Sequence, residues 1–154
     1  MINPVQFRDY IVTPTLKEIQ LYSKAAMRLL IGTALTESKL EYLHQVGGGP
    51  ALGVYQMEPA THDDIWKNYL LFKLPLAQKM NGFNFNYLDS KQMVWNLKYA
   101  TAMCRAHYLR VKAPLPDHND ISGMADYWKK HYNTEKGKGT PEDFLSKASL
   151  ILNL

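Results

Sequence analysis

A helical hydrophobic pattern covers the first third of the sequence and stops at a glycine-rich segment. Between about residues 14 and 43, apolar residues recur at steps of three and four, the period of one helix face. A break near Ser23 is compatible with this pattern. The segment 46–53, VGGGPALG, then ends the helix, because glycine adds backbone freedom and proline lacks an N–H donor. The helix face consists of Ile19, Tyr22, Ala26, Leu30, Thr33, Ala34 and Glu37.

Signals for helix starts recur along the chain. Thr15 with Glu18 fits a capping box, and Thr13 before Pro14 is a rival start. Asp89 or Ser90 could cap a long amphipathic helix. These and similar signals predict a helix beginning at Thr61, a long helix from 89 or 90 to 111, a helix over 121–132, a final helix from Thr140 to the end, and a loop over 73–88.

Strand signals are nearly missing from the sequence. No segment alternates polar and apolar residues over a strand's length, and Gly53 to Met57 is the only short extended candidate. The 154 residues, 46% hydrophobic and 21% charged, suit one globular domain. We therefore predict a mostly α single domain over 1–154, with at most a very small β element near residues 53–57.

Composition narrows the classes of function. The single cysteine, Cys104, excludes an intramolecular disulfide, and the five histidines lack ligand spacing, so we predict neither a metal nor another cofactor. No apolar run reaches the roughly 20 residues of a membrane span, and the N-terminus lacks the features of a signal peptide. These features predict a soluble protein made in a reducing compartment.

The net charge of +4 suits an anionic partner. Nucleic acid is not the expected partner, since no helix face carries a basic stripe.

Glu37 is the strongest candidate for chemistry. It lies three, four and seven residues after Ala34, Thr33 and Leu30, so it extends the apolar face toward the core. Burial disfavours a carboxylate and should raise its pKa, as a general acid near neutral pH requires. The alternative is a glutamate at a helix end that faces solvent or pairs with Lys39.

Four short motifs occur in an order that resembles the lytic transglycosylase family and its goose-type lysozyme relatives. Residues 34–38, Ala-Leu-Thr-Glu-Ser, match the family's Ala-x-x-Glu-Ser helix end. Residues 53–61 keep the Gly, Gln, Pro and Thr of its Gly-Leu-Met-Gln-x-x-Pro-x-Thr segment, with Val-Tyr in place of Leu-Met. Residues 106–110 resemble its Tyr-Leu helix. Residues 132–139 are similar to its Tyr-Asn-x-Gly motif, with a longer Asn-to-Gly spacing. The resemblance spans about residues 24–140.

The resemblance implies a lysozyme-like fold and a peptidoglycan substrate. The bond cleaved would be the β-1,4 bond between N-acetylmuramic acid and N-acetylglucosamine. Glu37 would act as the single general acid and base. It would protonate the glycosidic oxygen and then take the proton of the muramic C6 hydroxyl, which leaves a 1,6-anhydro end.

The resemblance also assigns roles to five further residues, each with a structural alternative. Tyr132 would be catalytic, with its hydroxyl orienting Glu37, or would only pack in the core. Ser38, Gln56, Tyr55 and Asn133 would bind substrate. In the alternative, Ser38 bonds to backbone, Gln56 braces its loop, Tyr55 packs in the core and Asn133 caps a helix. Trp66, Trp95 and Trp128 are expected to be packing residues.

Two other functions remain open from the sequence. A hydrolytic lysozyme would need a second carboxylate, for which Glu58, Asp63 and Asp64 are the nearby candidates. A non-catalytic phage structural or glycan-binding module is the other, because a fold does not establish a function.

The expected setting is that of a phage enzyme. A wall-cutting enzyme with no signal peptide resembles phage enzymes that are carried by the particle or released by a holin. Its partners would be glycan strands of the host wall and other phage virion proteins. The sequence does not separate a free endolysin from a virion-borne enzyme.

Overall fold

The computed structural model describes residues 1–83 and 86–154, and these residues are mostly helical. The predicted mostly α class is therefore confirmed. The α-helices are α1 (Pro4–Phe7), α2 (Thr13–Glu18), α3 (Lys24–Ser38), α4 (Pro59–Asn68), α5 (Leu74–Met80), α6 (Leu97–Leu109), α7 (Ile121–Trp128), α8 (Pro141–Leu145) and α9 (Ala148–Leu152). Wider π turns cover Arg8–Val12 and Lys129–Asn133, and 3-10 turns cover Leu70–Phe72, Asn81–Phe83 and Ser90–Val94.

The N-terminal helix begins earlier than the sequence predicts. The Oδ1 atom of Asn3 accepts hydrogen bonds from Val5 N (2.9 Å) and Gln6 N (3.1 Å), and Pro4 occupies the first turn. From there α1, the first π turn and α2 follow without a gap. Helix α2 does begin at Thr13, but neither Thr13 nor Thr15 starts the helical run, because the earlier cap at Asn3 already satisfies its first free N–H groups.

Helix α3 forms the centre of the fold. The Oγ atom of Ser23 accepts a hydrogen bond from Ala26 N (3.0 Å), which confirms the break near this residue. The helix ends at Ser38, before the predicted residue 43, because Lys39 takes a left-handed conformation with φ of 55°. Around it pack α6, α7, α8 and α9. Gly32 allows the Phe144 ring of α8 to lie directly against the helix backbone.

Two predicted segments differ from the structure between α4 and α6. The predicted loop over 73–88 contains α5, with Pro75 in its first turn, while Asn84 and Phe85 lie outside the described residues. The Asp89 side chain caps only a 3-10 turn, so the predicted long helix starts later. Its true cap is Asn96, whose Oδ1 accepts a hydrogen bond from Tyr99 N (3.0 Å).

The C-terminal helix follows its predicted cap but is divided. The Asp143 carboxylate accepts a hydrogen bond from Thr140 N (2.7 Å), and the capping box is complete. The predicted single helix to the end is wrong, because a turn at 146–147 separates α8 from α9.

Residues 53–57 form a tight turn, which we call the 53–57 turn. Leu52 N donates to Met57 O (2.9 Å), and Met57 N donates to Leu52 O (3.1 Å). Within the described ranges, 1–83 and 86–154, pairing is limited to isolated β-bridges, which agrees with at most a very small β element. In the same ranges, no helix has the length and apolar character needed to span a bilayer.

Candidate active site

Glu37 lies in the last turn of α3, half-buried against the end of α7. The indole of Trp128, itself 1% exposed, donates from Nε1 to Glu37 Oε1 at 3.0 Å. A side-chain hydrogen bond from Asn133 reaches the same carboxyl group. Glu37 therefore lies in an apolar wall but keeps part of its surface in contact with solvent.

The surroundings of Glu37 favour its protonated form. Desolvation raises the pKa of Glu37 to about 7, against the hydrogen bonds from Trp128 and Asn133 and the charge of Lys129, which all lower it. The predicted direction of the pKa shift is confirmed. A carboxyl group with a pKa near 7 can both give and take a proton at neutral pH.

Both hydrogen-bond partners of Glu37 are donors toward it. An indole N–H can only donate, and the Asn133 amide can meet a carboxyl group through its NH₂. The carboxyl oxygen that faces Trp128 thus serves as an acceptor, also when the group carries its acid proton. Neither neighbour takes up that proton in these hydrogen bonds, so it remains available to a ligand.

Two of the three acidic residues named as rivals, Asp63 and Asp64, are engaged elsewhere. Asp63 bonds to His62 Nδ1 (2.8 Å). Hydrogen bonds from Arg110 and Asn68 lower the pKa of Asp64. The charged group that acts on the pKa of Glu37 is a cation, Lys129, and no acidic residue of the described chain acts with it. Of the three rivals, Asp63 and Asp64 are therefore already paired with other side chains.

Ser38 and Tyr132 hold the 53–57 turn beside Glu37. The Ser38 hydroxyl donates to Val54 O at 2.6 Å, and Ala34 O is a second acceptor at 3.0 Å. The Tyr132 hydroxyl donates to Tyr55 O at 2.7 Å. These two bonds attach consecutive carbonyl groups of the turn to the ends of α3 and of the second π turn.

Tyr132 does not make the contact with Glu37 that the sequence predicted. Its hydroxyl bonds to a turn carbonyl, because the phenol donates to the backbone oxygen that lies beside it. The two residues are still neighbours: burial raises the pKa of Tyr132, and the charge of Glu37 adds to this effect. The geometry makes Tyr132 a support of the site.

Two of the predicted substrate-binding side chains are buried. Ser38 and Tyr55 are each 1% exposed, and the Tyr55 hydroxyl bonds to Thr101 Oγ1 (3.1 Å). These contacts agree with the structural alternatives, in which Ser38 bonds to backbone and Tyr55 packs in the core. Gln56 is half-buried in a left-handed conformation, and its Nε2 donates a hydrogen bond to Gly53 O at 2.9 Å. This bond leaves the Gln56 amide oxygen available for a ligand.

Asn133 is the predicted binding residue that meets Glu37, and two glycines make room for it. A Cβ atom on Gly137 would lie 2.4 Å from Asn133 Oδ1. One on Gly139 would lie 2.7 Å from Trp128 Cη2 and 3.2 Å from Asn133 Nδ2. Any larger residue at either position would displace a hydrogen-bond donor of Glu37.

The contact between Trp128 and Glu37 was not predicted from the sequence, which indicated only a packing role for Trp128. A buried indole N–H needs an acceptor, and this requirement was the available signal. The expected packing role is wrong for Trp95, which is 64% exposed, and it is confirmed for Trp66, which is buried.

Replacing Trp128 with phenylalanine should raise the pKa of Glu37 further. Phenylalanine keeps an aromatic ring against Phe144 but removes the donor that stabilises the carboxylate. A ¹³C carboxyl titration by NMR measures the change. The exposed Trp95→Phe variant is the control, and equal titration curves for both variants would contradict the assignment.

The comparisons with known proteins give no neighbour for this site. No family model matches the chain, and neither a curated protein nor a solved structure does. Among residues 1–83 and 86–154, no group of three or more His, Cys, Asp or Glu side chains is placed to hold a metal ion.

Proposed function

We propose that this chain is a peptidoglycan lytic transglycosylase of phage type. It would cleave the β-1,4 bond between N-acetylmuramic acid and N-acetylglucosamine, with Glu37 as the single general acid and base. The host cell wall would be its place of action, and glycan strands its partner.

One observation carries the proposal. The Glu37 carboxyl group has a pKa of about 7, its hydrogen-bond partners in the described chain are donors, and the charged group that acts on its pKa is the cation Lys129. A hydrolase of the usual two-carboxylate kind needs a second acid residue to activate water. A transglycosylase needs one group that first gives and then takes a proton, and the Glu37 site supports this requirement.

In the first step, protonated Glu37 donates its proton to the glycosidic oxygen. The bond from that oxygen to C1 of the muramic residue breaks, and the N-acetylglucosamine part leaves with a free hydroxyl. The positive charge at C1 is stabilised by the acetamido group of the same sugar. Glu37 is now a carboxylate, which the hydrogen bonds from Trp128 and Asn133 and the nearby Lys129 charge stabilise.

In the second step, the Glu37 carboxylate takes the proton of the muramic C6 hydroxyl. The C6 oxygen attacks C1 and closes the 1,6-anhydro ring. Glu37 is protonated again, so the cycle consumes no water and no other reactant. A pKa near 7 suits both steps, because neither protonation state is strongly favoured at neutral pH.

Activity should fall as the pH rises above 7. The free enzyme must carry the Glu37 proton, so kcat/KM should decrease about tenfold per pH unit on the alkaline side, and roughly 100-fold by pH 9. Initial rates of peptidoglycan clearing between pH 5 and 9 give the profile, and circular dichroism at each pH checks the fold. A flat profile up to pH 9 would contradict the role of Glu37.

Purified peptidoglycan tests the proposed function itself. The wild-type chain should reduce the turbidity of the suspension and release soluble glycan fragments. A chain that stays folded and binds the material without releasing fragments would be a binding module instead.

A further inference from the structure

The ammonium group of Lys129 is held by three oxygen atoms at the end of the second π turn. Its Nζ lies 2.8 Å from Asn133 Oδ1, 2.8 Å from Thr134 O and 3.0 Å from Gly137 O. A lysine has three N–H donors, so all three are used. This arrangement differs from that of Lys130, which is exposed in the same turn.

The bond from Lys129 fixes which way the Asn133 amide faces. An ammonium group can only donate, so the amide atom that it meets must be the oxygen. The amide NH₂ is then directed to the other side, where Gly139 leaves space beside it. A side-chain hydrogen bond joins Asn133 to Glu37, for which the NH₂ group is the suitable donor.

Lys129 also holds the backbone on which Asn133 sits. Thr134 N donates to Lys129 O at 2.8 Å, and the Lys129 side chain bonds to Thr134 O. Thr134 has a φ of 65°, which is costly for a residue other than glycine. Lys129 thus closes a strained turn directly after Asn133.

We propose that Lys129 is a positioning residue for Glu37, since it holds the Asn133 amide with its NH₂ group toward the Glu37 carboxyl. The inference rests on the proposed function for the role of Glu37. Lys129 acts on Glu37 through Asn133 and, in addition, through its charge. Both effects favour the carboxylate that the second step of the reaction needs.

The test compares Lys129→Met with Lys130→Met, since the second variant removes an equal charge from the next residue. We expect Lys129→Met to move the ¹³C carboxyl titration of Glu37 upward by about 1 pH unit, and the alkaline limb of the activity profile with it. Lys130→Met should move neither. The Glu37 resonance is assigned by its loss in Glu37→Gln.

A residue that only stabilises the turn would lower the melting temperature without moving the Glu37 titration, and this result would overturn the inference. Where Lys129→Met does not fold, Asn133→Ala replaces it. That variant keeps Lys129 but removes the amide, so the titration should again move upward, and an unchanged titration would overturn the inference. Because the titration needs no substrate, an inactive wild-type chain would refute the proposed function and leave this readout intact.

Discussion

Glu37→Gln is expected to lose peptidoglycan cleavage, with kcat/KM lower by roughly 10³-fold or more. Glutamine keeps the shape of the side chain and can still accept the hydrogen bond from Trp128 Nε1. It has no acidic proton to give to the glycosidic oxygen. Clearing rates of purified peptidoglycan measure the loss, and circular dichroism shows whether the variant keeps its helices.

The same variant should be more stable than the wild type at alkaline pH. The folded pKa of Glu37 is about 7 against an ordinary value of 4.5, so folded Glu37 holds its proton more tightly than unfolded Glu37. The wild-type chain therefore loses stability as the pH rises from about 4.5 through 7, to a total of about 3 kcal/mol. Glutamine does not titrate and avoids this loss.

Urea unfolding of both proteins at pH 4 and pH 8 measures this difference. The advantage of Glu37→Gln should be larger at pH 8 than at pH 4 by about 3 kcal/mol. An equal difference at both pH values would mean that Glu37 is not desolvated. A gain in stability together with a loss of activity is characteristic of a functional site.

Gly53→Ala is expected to destabilise the fold by about 3 kcal/mol or more. Gly53 has a φ of +72°, and a Cβ atom there would lie 2.2 Å from the backbone oxygen of Met93. Backbone cannot rotate away as a side chain can, so the 53–57 turn and the 3-10 turn Ser90–Val94 must separate. The turn is bonded to Ser38 and Tyr132, so activity should fall as well.

Gly48→Ala is the matched control for this prediction. Gly48 has a similar φ of +85°, but a Cβ atom there would have no described atom within 4 Å. Gly48→Ala should therefore lower the free energy of unfolding only by the cost of the left-handed conformation for alanine, about 1 kcal/mol. Equal losses of unfolding free energy in the two variants would show that the approach of Met93 does not constrain Gly53.

Local hydrogen bonding explains which parts of the fold were predictable from the sequence. The Thr140 cap and the break at Ser23 depend on side chains that bond to backbone N–H groups three residues away. Helix α5 was missed because the asparagines and aromatic residues of the predicted loop concealed Leu74–Met80, a short helix with a proline in its first turn. The cap at Asn96 was missed for a similar reason, since Asp89 offered an equally good signal earlier.

The site was predictable only where it depends on one helix. The face of α3 was enough to place Glu37 and to give the direction of its pKa shift. The bond from Trp128 joins residues 91 positions apart, and that from Tyr132 to Tyr55 joins residues 77 apart. Such contacts follow from how α3 and α7 pack, which short motifs do not specify.

The mass of the products from purified peptidoglycan tests the central claim most directly. If Glu37 works alone as acid and base, the fragments should end in 1,6-anhydromuramic acid, one water lighter than hydrolysis products, and Glu37→Gln should release none. Reducing muramic ends from the wild-type chain, or anhydro ends from the Glu37→Gln variant, would contradict it.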